Sequence, residues 1–138
     1  MIVLDTDVVS ELMRADPRPG VLKWVDKQAA STLFLTSLNL AEIRYCLAAL
    51  PPGKRRSTLI ATFEDGIRPM FGDRVLGFDE PASKEYAALR ATARSTGQAI
   101  SDADALIAAI ARAHRYAVAT RDVRPFEAAR VHVINPFR

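Results

Sequence analysis

MIVLDTDVVSEL, residues 1–12, opens with an apolar run, Ile2-Val3-Leu4, that ends abruptly at Asp5. Consecutive apolar residues without alternation predict a strand buried on both faces, the condition of a parallel sheet covered by helices. A carboxylate at the end of such a strand lies where open parallel sheets bind their ligands, beyond the carboxyl ends of the strands. The residues after it, Asp7 to Met13, suit a first helix with Thr6 or Asp7 as its cap, before Pro17 to Gly20 break the chain.

The same alternation recurs outward from this stretch. Short apolar runs stand at Leu33 to Leu35, Val75 to Phe78, Tyr116 to Ala119 and Val131 to Ile134. Between them the spacing predicts helices over Val21 to Gln28, Leu38 to Leu50 (ended by Pro51 and Pro52), Lys54 to Phe71, and Glu80 to Ser95 with Gly97 just beyond its end. Ser101 followed by Asp104 resembles a capping box, and the helix it opens, reaching His114, is apolar nearly all round and so belongs in the interior. Strands alternating with helices predict an α/β protein, a three-layer α/β/α arrangement around a mostly parallel sheet of about five strands. At 138 residues, with no repeat or linker, residues 1–138 are expected to form a single domain.

Composition narrows the function classes. The chain is 49% hydrophobic and 25% charged, which suits a globular protein and disfavours extended disorder. No apolar run approaches the roughly 20 residues of a membrane span, and the start lacks the basic region of a secretory signal, so a cytoplasmic protein without membrane contact is expected. The single cysteine, Cys46, has no disulfide partner, and neither it nor His114 and His132 has zinc-ligand spacing. A net charge of +3, with Lys54-Arg55-Arg56 in one cluster and arginines concentrated in the last quarter, suits a polyanionic partner. Trp24, Tyr45 and Tyr116 are read as core residues.

Acids at strand ends and helix starts carry the chemistry. Asp5 follows the first strand, Glu42 lies in the first turns after the second, Asp122 follows the Tyr116 to Thr120 run, and Asp104 or Asp102 lies at the start of the buried helix. Each has a plain alternative in a cap, a turn or a local ion pair. Brought together, such acids repel one another unless a cation offsets the cost. Mg²⁺ or Mn²⁺, which prefer oxygen ligands, would do so and would point to a phosphodiester substrate.

MIVLDTDVVSEL, SLNLAEIRYCL around Glu42, ISDADALIAAIARAH around Asp104 and the ending ATRDVRPFEAARVHVINPF, with their mutual spacing, resemble the PIN-domain family, specifically bacterial toxins of the VapC and FitB type. The resemblance implies an endoribonuclease for single-stranded RNA that uses Mg²⁺ or Mn²⁺. The family's acidic positions fall on Asp5, Glu42, Asp104 (in preference to Asp102) and Asp122, and Thr120 resembles its hydroxyl residue. Pro125 stands where relatives often carry a further acid. The resemblance also implies a homodimer, a cognate antitoxin that silences it, higher assemblies with that antitoxin, and DNA contact only through the antitoxin. Arg44, Arg121 and Arg124 are candidates for holding the RNA backbone. Two competing readings are a non-catalytic binding or regulatory subunit of the same fold, and a phosphatase of the haloacid dehalogenase type, which would use Asp5 as nucleophile, Asp7 as acid and a later lysine such as Lys84.

Overall fold

The computed structural model describes residues 1–138. Five parallel strands, β1 (Ile2–Leu4), β2 (Leu33–Thr36), β3 (Val75–Leu76), β4 (Ala117–Ala119) and β5 (Val133–Ile134), form one sheet in the order β3-β2-β1-β4-β5. The chain therefore builds outward from β1 to one edge and then crosses to the other side. That crossing makes the gap beyond β1 and β4 the topological switch point, the expected position of a site.

The strands bury both faces, as the unbroken apolar runs require. Val3 and Val118 face a layer formed by α5 (Glu80–Ser95), α6 (Asp102–His114) and α7 (Arg124–Ala128), together with Leu89, Ile107 and Phe126. Leu4, Leu33, Leu35 and Ala119 face the opposite layer of α1 (Thr6–Leu12), α2 (Pro19–Lys27), α3 (Ser37–Ala48) and α4 (Lys54–Ala61), with Val8, Val21, Ile43 and Phe63. Each large side chain wholly buried in these layers contributes about 1.5–3 kcal/mol. Helix α6 has Ala105, Ala108, Ala109 and Ala111 without solvent exposure, and these small residues let it lie close to both the sheet and α5.

Three differences from the sequence expectations have physical causes. The Lys54 to Phe71 stretch is not one helix: α4 passes into a wide π turn over Thr62–Ile67 and a 3₁₀ turn over Arg68–Phe71. Pro69 has no N–H to continue an α ladder, and the change of pitch still brings Phe63 and Phe71 into the core. Helix α7, five residues opening on Arg124-Pro125, is too short to show a helical period. Tyr45 is 74% exposed rather than in the core, whereas Tyr116 packs on Phe34 with ring centroids 4.8 Å apart and Trp24 is partly buried. No helix is long and apolar enough to cross a membrane.

Candidate active site

The sheet and three helix starts aim polar groups at the switch point. Helix α1 begins directly after β1, α3 directly after β2, and α6 begins near the same end of the sheet. Each start is capped by its own side chain, Asp5, Thr36 or Ser101, and the partial positive charge there favours anions, whether carboxylates or a phosphate.

Asp5 is the cap of α1, a role the sequence expectation assigned to Thr6 or Asp7: its Oδ1 accepts the Thr6 N–H at 2.8 Å. Its Oδ2 accepts the hydroxyl of the fully buried Thr120 at 2.9 Å. The backbone places this pair, because the Asp5 N–H bonds to Ala119 and the Thr120 N–H to Ile134, continuing the ladders past the strand ends. Burial, followed by the charge of Asp7, pushes the Asp5 carboxyl up to about 7, against the opposing hydrogen bonds of Thr120 and Thr6. Asp104 also lies above its ordinary value, first through burial, with Asp122 and Asp7 adding repulsion against the Ser101 hydrogen bond.

Asp5, Asp7, Asp104 and Asp122, from three separate places in the sequence, thus act electrostatically at one site. Glu42 stands back from the aspartates: its Oε1 accepts the Thr6 hydroxyl at 2.7 Å, and Thr6 links it to Asp5. Asp122 is exposed, and its N–H donates to the Thr120 oxygen at 3.1 Å. Asp102 is 91% exposed and paired with Arg90, which leaves Asp104 as the acid of α6 that faces the cluster. Arg44 is taken up by a two-pronged pair with Glu64 at 2.8 and 3.2 Å. Arg121 lies over the Phe137 ring at 4.1 Å, and Arg124 shares a hollow of about 520 Å³ with Asp122 and Gln98. Lys84, the lysine a phosphatase reading would need, is exposed on α5.

The sequence marks Asp7 only as a helix cap or as the acid of a phosphatase, and does not mark Asn39 at all. Asp7 reaches from α1 to the β4 side, where its Oδ2 accepts the Thr120 hydroxyl at 3.2 Å and the Arg121 N–H at 3.0 Å. Its Oδ1 is buried without a hydrogen-bond partner. A second acid two residues after a strand-ending Asp was the available signal, but it reads equally as a cap. Asn39, fully buried, closes a reciprocal cap with Thr36 and uses its amide to donate to Thr6 at 3.2 Å and to Asp5 at 3.5 Å. Asn39→Ala is expected to cost about 2–3 kcal/mol in a denaturant titration, because the Thr36 N–H and the Thr6 oxygen lose their partners in a buried setting. A loss below about 0.5 kcal/mol would show that this network carries no strain-free support for Asp5.

The donor chemistry fits a hard divalent cation. Every group offered is oxygen, one carboxylate oxygen is buried without a partner, and the neighbouring acids add to the burial that raises the proton affinity of Asp5 and Asp104. No group of three acids stands ready-made to hold an ion, so water would complete the coordination, as Mg²⁺ commonly allows.

A PIN domain profile matches residues 2–131. The chain is 50% identical over 137 residues to the VapC ribonuclease Y4jK of Sinorhizobium fredii, covering 99% of this chain and 98% of that protein. It is 42% identical to the Toxin FitB of Neisseria gonorrhoeae, covering 99% of each. The solved structure of FitAB bound to an IR36 DNA fragment superposes with a TM-score of 0.95 at 41% identity, covering 100% of this chain and 96% of that one. Shared sequence over nearly the full length and a shared fold lead to one conclusion: the chain belongs to the PIN-domain family, among proteins of the VapC and FitB type.

Proposed function

We propose that this protein is a divalent-metal-dependent endoribonuclease acting on single-stranded RNA, and the toxin of a toxin–antitoxin pair. The observation that carries the reading is the gathering of Asp5, Asp7, Asp104 and Asp122 at the switch point, with Asp5 held near a proton affinity of 7 and a buried Asp7 oxygen left without a partner. Repulsion of this kind is relieved by a proton or by a cation, and a divalent ion is the form of relief that leaves every carboxylate charged.

Asp5 and Asp104 would be the principal ligands for Mg²⁺ or Mn²⁺, with Glu42 and Asp122 completing the set directly or through water. A bound divalent ion would neutralise the cluster, take up the scissile phosphate and make a water more acidic. The chain's own residues do the rest. Thr120 fixes the rotamer of Asp5 from behind, Asn39 and Thr6 hold the opposite side, and Thr6 also orients Glu42. The helix starts of α1, α3 and α6 attract the phosphate to the same place.

The relatives support the partners. One is named a ribonuclease, another a toxin, and the FitAB structure contains DNA. By that likeness residues 1–138 act as one PIN domain in the cytoplasm, as a homodimer bound by a cognate antitoxin in a larger hetero-oligomer. DNA is contacted through the antitoxin.

The test uses the purified full chain, free of antitoxin, with single-stranded and fully paired RNA and Mg²⁺ or Mn²⁺. Cleavage of the single strand, lost in EDTA and reduced about a thousandfold in Asp104→Asn, is the expected result. Cleavage that survives both would place the activity elsewhere, and no cleavage under any condition would favour the non-catalytic reading.

A further inference from the structure

The end of the sheet opposite the acids carries a feature the cleavage reading does not use. Helices α6 and α7 both run back from the carboxyl end to the amino end of the sheet, and each is followed by a strand, β4 and β5, that lie side by side. Both helices stop in the same way. After α6, the N–H groups of Arg115 and Tyr116 turn back to Arg112 and Ala111; after α7, those of Arg130 and Val131 turn back to Glu127 and Phe126. This closure needs one residue in the left-handed conformation, where glycine is the unstrained choice. Here both positions are arginine, with φ of 60° at Arg115 and 58° at Arg130.

Both arginines line one hollow of about 630 Å³, also lined by Arg112, Tyr116, His132 and Glu85. Glu85 is the acid of the group, and Arg112 answers it at 3.2 Å while also donating to the Ala129 carbonyl at 3.1 Å. Arg115 and Arg130 are exposed and enter no ion pair, nor does either guanidinium donate to a protein acceptor. The cavity therefore presents two unengaged forks beside a third whose charge is already balanced. Planar forks of this kind match the oxygens of a phosphate in pairs. Tyr116, held by Phe34 and by His114 at 5.3 Å, adds an aromatic wall, and the volume is in the range of small-ligand sites.

We propose that this hollow binds the phosphate of a nucleotide, through Arg115 and Arg130, at a site separate from the acidic cluster. Strand β4 runs between the two, flanked by Tyr116 at the hollow and Thr120 at the acids, so roughly 13 Å of extended chain separates them. The source of the phosphate is either a free nucleotide or the end of an RNA strand.

Glycine substitution gives a clean test, because Arg115→Gly and Arg130→Gly relieve the backbone while removing the forks, so the variants should fold at least as well as the parent. Binding is measured on the full chain in EDTA, where the acidic cluster has no cation and repels anions, using inorganic phosphate, AMP, adenosine, and a tetranucleotide with either a 5′-phosphate or a 5′-hydroxyl. AMP is expected to bind, adenosine at least tenfold more weakly, and the double variant to lose AMP at least tenfold with amide shifts confined to residues near 112–117 and 130–134. Preference for the phosphorylated over the hydroxyl tetranucleotide identifies an RNA end as a source; equal binding of the two with AMP retained identifies the free nucleotide. Undiminished AMP binding in the double variant, equal binding of adenosine, or shifts centred on Asp5 and Asp104 would overturn the proposal. Cleavage with Mg²⁺ is followed in parallel, so loss of either property is seen without the other.

Discussion

Asp5→Asn is expected to make the metal-free protein more stable while removing its cleavage of RNA by about a thousandfold. The Asp5 carboxyl moves from 3.8 to about 7 on folding, chiefly through burial and then through Asp7. A raised value means that the folded state favours the protonated acid. Its contribution is therefore fully present below pH 3.8 and is lost as pH climbs through 7, where the charged form costs on the order of 4 kcal/mol. Asparagine carries no charge, can still accept the Thr6 N–H, and can turn its amide to the Thr120 oxygen, whose hydroxyl then donates to Asp7. Not all of the cost is recovered, because Asp7 and Asp104 remain; a gain of about 2 kcal/mol, or roughly 8 °C in Tm, is expected at pH 8 in EDTA. At pH 5, where Asp5 is already protonated, the difference should shrink below about 0.5 kcal/mol. Adding Mg²⁺ at pH 8 should raise the Tm of the parent and leave the variant almost unmoved. A variant less stable than the parent at pH 8, or a gap that does not change with pH, would show that Asp5 is an ordinary cap and not a strained ligand.

The strain at Asp5 explains what could and could not be read from residues alone. Local sequence reveals strand β1, because Ile2-Val3-Leu4 is apolar without alternation, and it reveals α5 and α6 closely, because Gly97 and Ser101 mark their ends. It also puts Asp5 and Asp104 at element boundaries. The order β3-β2-β1-β4-β5 is a long-range property that no local period encodes, and only that order makes Asp5 and Thr120 neighbours across 115 positions. The place of Asp7 in the cluster, and Asn39 altogether, escaped for a related reason. Each has a sufficient local role, as an acid in a first helical turn or a capping residue, and their second role depends on a partner more than 30 residues away. Glu42, legible from its motif, accepts the Thr6 hydroxyl, and Thr6 in turn donates its N–H to Asp5, a relay that no local pattern shows.

Thr120→Val is the complementary case, a change of nearly constant shape that should harm both stability and activity. The threonine oxygen accepts from Asp122 and its one proton lies between Asp5 at 2.9 Å and Asp7 at 3.2 Å. Valine leaves two carboxylates facing each other without a shared donor and the Asp122 N–H without an acceptor. Because the hydroxyl favours the charged form of Asp5, its removal lifts that carboxyl further, and the loss is greatest above pH 7: about 2–3 kcal/mol at pH 8 and about 1 kcal/mol at pH 5 in urea titrations. Cleavage should fall about a hundredfold, since Asp5 loses its rotamer and the loop carrying Asp122 loses its anchor. Thr120→Ser, which keeps the hydroxyl and loses only a methyl, should recover most of the activity. The decisive measurement is the double variant with Asp5→Asn, in which an uncharged partner no longer needs the donor. The stability cost of valine should then drop by at least about 1 kcal/mol, a coupling that neither residue produces alone. Strictly additive losses would mean that Thr120 supports the core at the end of β4 and has no special bond with Asp5, and the hydrogen-bonded core of the proposed site would have to be abandoned.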